Sequence, residues 1–198
     1  DFHKGPAKTK ALLSLLEANH PQQDYINAIT LLQLDPKTPQ TPQLKKAFVS
    51  GLKNVAGTQT YIDLLRKYNI KGKHAELIAI FDNNEKEQTK TDALRYILQS
   101  GGSTYLKKII DADNAQSKKV VSLIGKTADK NAEEILQRVI TDTAKNTDLR
   151  KEAMVSLASR WNGQTILLKM AKEQKFSDDI KPAAWEIFST SYRQDLKD

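Results

Sequence analysis

Residues 131–139 read NAEEILQRV, and three other segments of the chain follow the same pattern. They are GTQTYIDLL from Gly57, GGSTYLKKI from Gly101 and NGQTILLKM from Asn162. Each begins with a glycine or an asparagine, continues with polar residues suited to the first turn of a helix, and then places two apolar residues side by side. Another apolar residue follows three positions after the second of these, which is the spacing of one helix face. The pattern predicts four copies of one amphipathic helix.

The apolar positions of these four copies are expected to face a core. They are Tyr61, Ile62 and Leu65; Tyr105, Leu106 and Ile109; Ile135, Leu136 and Val139; and Ile166, Leu167 and Met170. Asn131 is followed three positions later by Glu134, a spacing typical of a capping box at a helix start.

A second type of helix is predicted between these copies. Its segments carry small or apolar residues on one face, as packing against a neighbouring helix requires. They read LKKAFVSGL from Leu44, TDALRYIL from Thr91, KKVVSLIG from Lys118, LRKEAMVSL from Leu149 and IKPAAWEIF from Ile180.

The spacing of the copies indicates a repeat. The first helix type recurs at intervals of 44, 30 and 31 residues, and the longest interval predicts an additional helix at about residues 74–82. Helix pairs that recur every roughly 30 to 45 residues are typical of an α-solenoid, in which stacked pairs bury the core that one pair cannot form alone. An irregular helical bundle is the alternative, because amphipathic helices also resemble one another by chance.

Helical periodicity covers nearly the whole chain, and no stretch combines polar–apolar alternation with β-branched residues as a strand does. Pro36, Pro39 and Pro42 mark a linker, and Pro42 suits the first turn of the next helix. We therefore predict an all-α protein, an α–α superhelix of stacked antiparallel helix pairs. Residues 1–43 are expected to form an N-terminal helical pair with its proline-rich linker. Residues 44–198 are expected to continue it as one solenoid.

The two helix types together resemble HEAT-like repeats, over about residues 44–192 and most strongly after Thr91. The segment from Leu149 to Leu157, the later Asn162-Gly163 and the run from Asp179 to Ala184 are similar to a narrower group. In that group, large bacterial extracytoplasmic proteins carry HEAT repeats before a c-type cytochrome or haem-binding module. The resemblance implies a non-catalytic spacer or docking segment in a periplasmic or secreted protein.

Composition limits the chemistry of the chain. It has no cysteine, which excludes disulfides, thiolate metal ligands and the Cys-x-x-Cys-His attachment of c-type haem within these residues. The longest apolar run, residues 77–81, is far too short to cross a membrane. The net charge of +7 is spread over both halves of the chain, as on an ordinary solvated surface. Because the sequence begins at Asp1, we expect it to be part of a longer protein.

No residue pattern of an enzyme or a metal site stands out. His3, His20 and His74 are scattered, and no phosphate-binding or nucleophile motif occurs. The adjacent acids Glu133/Glu134 and Asp178/Asp179 lie at predicted helix starts, where they complement the helix dipole. We therefore predict no catalytic residue, no cofactor and no metal ligand.

Trp161 and Trp185 have the spacing of core residues, the first because it follows Leu157 by four positions. Some HEAT-like proteins are DNA glycosylases that use tryptophan and aspartate on a concave surface. This resemblance leaves a nucleic-acid-binding protein, of the DNA-alkylation-repair glycosylase type, as the alternative function.

Aligning the repeats places Lys108, Arg138 and Lys169 in one column, at spacings of 30 and 31 residues. Equivalent positions of a solenoid stack roughly 10 Å apart, so these side chains would form a basic row suited to an anionic partner. Leu64 interrupts the column in the earlier copy, and an ordinary solvated face is the other interpretation. The expected partners are a protein or neighbouring domains of the same polypeptide, with an anionic ligand as a further candidate; nucleic acid is disfavoured.

Overall fold

Helices form all the regular structure of residues 5–83 and 86–193, the residues that the computed structural model describes. Helical residues make up 72% of the structure and no strand occurs among the described residues, which confirms the all-α class. The chain forms two compact units, residues 1–85 and residues 86–198. The expected limit between residues 43 and 44 lies inside the first unit.

The first unit contains five α-helices among its described residues. They are α1 (Pro6–Leu16), α2 (Gln23–Gln33), α3 (Pro42–Asn54), α4 (Gln59–Lys67) and α5 (His74–Ile78), which runs into a 3₁₀ helix at Ala79–Asp82. The last two segments confirm the additional helix predicted from the long repeat interval. The helices α2 and α3, on either side of the proline-rich linker, pack against each other.

The helix α2 is at the centre of this unit and packs against α1, α3 and α4. Ala28 and Leu31 are its buried apolar residues, whereas Tyr25 and Ile29 lie on its exposed side. Gly51 of α3 lies so close to α2 that an added Cβ would stand 2.8 Å from the backbone nitrogen of Ala28. Only glycine therefore permits this approach of the two helices.

The end of α4 caps the end of α2. Lys67 Nζ donates to the carbonyl of Leu32 at 2.6 Å and the Tyr68 hydroxyl donates to the carbonyl of Leu31 at 2.9 Å. These carbonyls belong to the last turn of α2, which has no partners within its own helix. Burial lowers the pKa of Lys67, and burial together with the charge of Asp35 raises the pKa of Tyr68 to about 12.

The second unit contains seven α-helices among its described residues. They are α6 (Glu87–Gln99), α7 (Ser103–Asp111), α8 (Ala115–Ile124), α9 (Lys130–Thr141), α10 (Thr147–Ala158), α11 (Trp161–Lys172) and α12 (Lys181–Thr190), with a 3₁₀ helix at Gly125–Thr127. The helix α8 packs against α6 and α10, and α10 packs against α12. The helices of the first type lie beside them, because α7 contacts α8 and α9, and α10 contacts both α9 and α11.

Several hydrogen bonds of this unit join residues about one repeat apart. The bonded pairs are Asp113 with Asn146, Gly125 with Ser156, Glu133 with Asn162 and Arg150 with Asp179, at separations of 33, 31, 29 and 29 positions. These separations match the intervals of 30 and 31 residues between the sequence copies. Hydrogen bonds therefore join neighbouring helix pairs within this unit.

The apolar pattern of the repeat is confirmed in part. The second member of each apolar pair is fully buried in all four copies: Ile62, Leu106, Leu136 and Leu167. Tyr105 and Ile166, the first members in two copies, are only half-buried. The period of the helix was thus predicted correctly, but the width of the buried face differs from one copy to the next.

The predicted capping box at Asn131 is wrong. The helix α9 starts at Lys130, and its cap is Asp129, whose carboxylate accepts a hydrogen bond from the backbone nitrogen of Asn131 at 2.8 Å. Asn131 therefore already lies within the helix. A capping box does occur at α8, where Asn114 and Ser117 each accept a hydrogen bond from the other's backbone nitrogen.

Candidate functional site

The predicted basic row maps onto three successive helices of the first type. Lys108, Arg138 and Lys169 lie in the last turns of α7, α9 and α11. Lys108 and Lys169 are exposed. A cation in the last turn also complements the negative end of the helix dipole, so each of these residues has a local structural role besides any binding role.

Two members of this row are paired with acidic side chains. Arg138 Nη2 lies 2.8 Å from Asp111 Oδ1, and Lys145 Nζ lies 3.0 Å from the same oxygen. Lys169 Nζ is 3.8 Å from Glu173 Oε1, whose second oxygen pairs with Lys175 Nζ at 2.7 Å. Two of the three cations of the row therefore have a carboxylate partner, so the row is not a continuous positive stripe.

Neighbouring cations hold Asp111 and Glu173 in their ionised forms. Partial burial alone would raise the pKa of Asp111, but the hydrogen bonds from Lys145 and Arg138 outweigh burial and lower that pKa. The hydrogen bond from Lys175 lowers the pKa of Glu173. Both carboxylates therefore remain charged at neutral pH and reduce the attraction of the row for an anion.

A shallow hollow of about 420 Å³ lies beside Arg138. It is lined by Gln137, Arg138, Thr141, Met170 and Lys175, from α9, from α11 and from the segment after α11. Both cations have carboxylate partners, at Asp111 and Glu173. The hollow joins two repeats and offers polar donors to a partner.

The interpretation of the two tryptophans as core residues is wrong. Trp161 is 69% exposed and Trp185 is 72% exposed. Because α10 ends at Ala158 and Trp161 starts α11, the four-residue spacing from Leu157 crosses a helix boundary and does not place both side chains on one face.

Arg193 lies over one face of the Trp161 ring. Its guanidinium carbon lies 4.3 Å from the ring centroid, within the range of a cation–π interaction. The same side chain donates to the carbonyl of Trp161 at 3.0 Å and to Thr165 Oγ1 at 2.7 Å. The segment after α12 is therefore attached to the start of α11.

Trp185 lies in an apolar groove between α11 and α12, with a volume of about 370 Å³. The groove is lined by Ala171, Gln174, Phe176, Lys181, Ala184, Trp185 and Phe188, and we call it the α12 groove. Phe176 and Ala184 are buried, Phe188 is half-buried and Trp185 is exposed. Five of its seven lining residues are apolar.

The most perturbed carboxylate of the described residues, Asp179, serves structure. It was expected to complement the dipole of α12, but it lies before the first turn of that helix and accepts hydrogen bonds from Ser177, Thr147 and Arg150. These bonds lower its pKa to about 2. Arg150 is 2% exposed and also donates from Nε to the carbonyl of Ile140, so it joins α10 to the end of α9.

The described residues contain neither a candidate metal site nor a candidate membrane span. No group of three or more histidine, aspartate or glutamate side chains could hold a metal ion, and His3 lies outside the described residues. No helix among them has the length and apolar character needed to cross a membrane.

The fold and these surfaces define an all-α protein of closely packed helices with exposed aromatic and charged surfaces. Comparison of the chain with family models, with curated protein sequences and with solved structures finds no match.

Proposed function

We propose that this chain is a non-catalytic scaffold of stacked HEAT-like helix pairs that binds a protein partner or a neighbouring domain of its own polypeptide. The resemblance of the sequence to HEAT repeats of large extracytoplasmic bacterial proteins supports such a protein as its context. In this proposal the helices of each type form one layer of a superhelix, and the outer surfaces of the layers are the binding surfaces.

The observation that carries the proposal is the hydrogen bonding between successive copies. Bonds such as those from Gly125 to Ser156 and from Asn162 to Glu133 join residues one repeat apart. In a stack of repeats each unit contacts only its neighbours, and its stability comes from those interfaces. The packing of α8 against α6 and α10, and of α10 against α12, supports the same arrangement.

The basic row is the proposed contact for the partner. Lys108, Arg138 and Lys169 lie at the same end of three consecutive helices of one type. Since Asp111 and Glu173 pair with Arg138 and Lys169, the row fits a protein surface with both signs of charge better than a polyanion such as nucleic acid.

The test is capture of partners from an extract of the source cells by the immobilised chain. We expect the triple variant Lys108→Glu, Arg138→Glu, Lys169→Glu to lose a partner that the wild-type chain retains. The matched control replaces Lys86, Lys118 and Lys130 with glutamate, which gives the same change in net charge. These three lysines are exposed and lie outside the column.

Two results would count against this proposal. If both triple variants lose the partner equally, net charge rather than the row determines binding. If neither variant loses it, the row has no part in binding, and the scaffold must use another surface.

Exposure of both tryptophans favours one alternative, a DNA-binding protein of the glycosylase type. In that case the tryptophan rings would stack on bases. For each tenfold rise in salt concentration, the logarithm of the binding constant would fall by about 0.9 per phosphate neutralised on a duplex. Titration with a duplex of about 20 base pairs at low salt tests it. Absence of measurable binding removes this alternative and leaves the scaffold.

A further inference from the structure

The helices α10 and α12 occupy equivalent places in successive copies, which allows their exposed surfaces to be compared position by position. The alignment of the sequence copies offsets them by 31 residues. Leu149 and Ile180 are then equivalent, as are Ala153 and Ala184, and all four are buried. The offset therefore matches the inner face of both helices.

Two further positions of the same alignment differ strongly. Met154 of α10 is fully buried, whereas its equivalent Trp185 in α12 is 72% exposed. Leu157 is 2% exposed, whereas its equivalent Phe188 is only half-buried. The larger, aromatic side chains thus stand at the positions with less cover.

The packing of the second unit explains the difference. The helix α10 contacts α8, α9, α11 and α12, and has α8 and α12 on either side in its own layer. Among the described helices, α12 packs mainly against α10. One side of α12 therefore continues the packing surface of its layer with little cover from the described helices.

We propose that a second copy of this chain covers the α12 groove, by packing its own α12 antiparallel to the first around a two-fold axis. A closed symmetric pair is the commonest way for identical chains to associate, because one patch then serves both partners. The comparison of α10 with α12 rests on the stacked helix pairs of the proposed function, but the proposal does not involve Lys108, Arg138 or Lys169 and is tested separately from them.

Antiparallel packing makes this helix complementary to itself. Trp185 and Phe188 are three positions apart and share one face of α12. When two copies of the helix cross with the axis between these positions, Trp185 of each copy stands opposite Phe188 of the other. Aromatic rings paired in this way pack edge to face or offset, which adds to the gain from burial.

Charge favours a second copy over an acidic partner. Lys181 at the margin of the groove is paired with Asp178 at 2.6 Å, and the nearby Lys175 is paired with Glu173 at 2.7 Å. An acidic helix would find both cations already neutralised. Two copies of this basic chain, by contrast, can approach at a surface where the local charges cancel.

The pair is expected to be weak. The exposed Trp185, the half-buried Phe188 and the residues around them give less than the roughly 800 Å² per partner that a stable interface buries. We therefore expect dissociation in the micromolar range, with dimer predominating at roughly 100 μM and monomer at roughly 1 μM.

Sedimentation velocity over this concentration range tests the proposal. The wild-type chain and the control Tyr25→Ala, which removes an exposed aromatic residue from the first unit, should dimerise alike. The double variant Trp185→Ala, Phe188→Ser should sediment as a monomer throughout. Circular dichroism of the double variant checks that its helices and its unfolding midpoint are retained.

Fluorescence provides a second readout from the same samples. Trp161 and Trp185 are the two tryptophans of the chain, so the variant Trp161→Phe reports on Trp185 alone. Its emission should shift to the blue as the concentration rises and water leaves the groove. A chain that stays monomeric, with unchanged Trp185 emission at the highest concentration, overturns the proposal and leaves the groove to a different helix. Dimers that persist in the double variant overturn it as well.

Discussion

Single residues of the second unit form contacts that decide where its loops lie. Arg150 is buried and bonds simultaneously to the carbonyl of Ile140 and to the segment that holds Ser177 and Asp179. An arginine can do this because its planar guanidinium donates in several fixed directions. One side chain thus connects the end of α9, the helix α10 and the loop that leads into α12.

The first prediction concerns the charge of Asp179. Its pKa of about 2 lies below the usual value for aspartate, so the ionised carboxylate stabilises the folded state at neutral pH. That contribution is complete above about pH 4 and is lost as the pH falls toward 2. We expect Asp179→Asn to lower stability at pH 7 and to flatten the acid dependence of the urea midpoint between pH 4 and pH 2.

The adjacent residue Asp178 provides the control for this prediction. Asp178 is adjacent in sequence but is strongly exposed and pairs only with the exposed Lys181. Asp178→Asn should therefore leave both the midpoint at pH 7 and its acid dependence nearly unchanged, as surface ion pairs usually do. Equal effects of the two variants would show that the bonds from Ser177, Thr147 and Arg150 do not perturb Asp179 in solution.

At the scale of the helix, a side-chain cap marks the start of α8. Asn114 accepts hydrogen bonds from the backbone nitrogens of Gln116 and Ser117, at 2.9 and 3.1 Å. The hydroxyl of Ser117 in turn donates to the carbonyl of Ile109 at 2.7 Å, near the end of α7. The cap of α8 therefore also attaches that helix to the one before it.

The second prediction compares two asparagines. Asn114→Ala removes this cap and should lower the free energy of unfolding by about 1 kcal/mol, the usual cost of losing such a residue. Asn131→Ala should cost much less, because Asp129 is the cap of α9 and stays in place. Urea unfolding of both variants measures the difference, and a larger loss for Asn131 would contradict the assignment of the caps.

At the scale of the whole molecule, each unit has a close approach between backbone segments that leaves no room for a Cβ. An added Cβ at Gly125 would lie 2.1 Å from the carbonyl oxygen of Ser156 in α10, and one at Gly51 would lie 2.8 Å from the backbone of Ala28. Both neighbours are backbone atoms, which cannot turn away as a flexible side chain can. Space rather than backbone conformation therefore requires glycine at these positions.

The third prediction uses this pair of glycines. Gly125→Ala and Gly51→Ala should each lower stability by about 1 to 3 kcal/mol, as expected when extra volume is forced into a close contact. Hydrogen exchange should place the loss in different parts of the chain, in α8 and α10 for Gly125 and in α2 and α3 for Gly51. Loss of protection in both units from either substitution would contradict the division into two units.

The sequence by itself determined the class of the fold and the positions of its helices. Apolar spacing and the recurring glycine and asparagine starts depend on local geometry, so they predicted an all-α chain and the additional helix after residue 74. The same local rules gave the wrong cap for α9, where two residues suited to a helix start stand two positions apart. Asp129 and Asn131 both suit a helix start, and the helix begins at the first.

Tertiary structure alone decided which faces are covered and which charges are paired. The spacing of Trp161 and Trp185 resembles that of core residues, but burial depends on whether another helix lies against the side chain. Likewise, the column of Lys108, Arg138 and Lys169 follows from alignment, whereas the carboxylate of Asp111 beside Arg138 comes from a helix 27 residues earlier in the chain. Contacts between residues so far apart depend on how helices pack, which local periodicity does not encode.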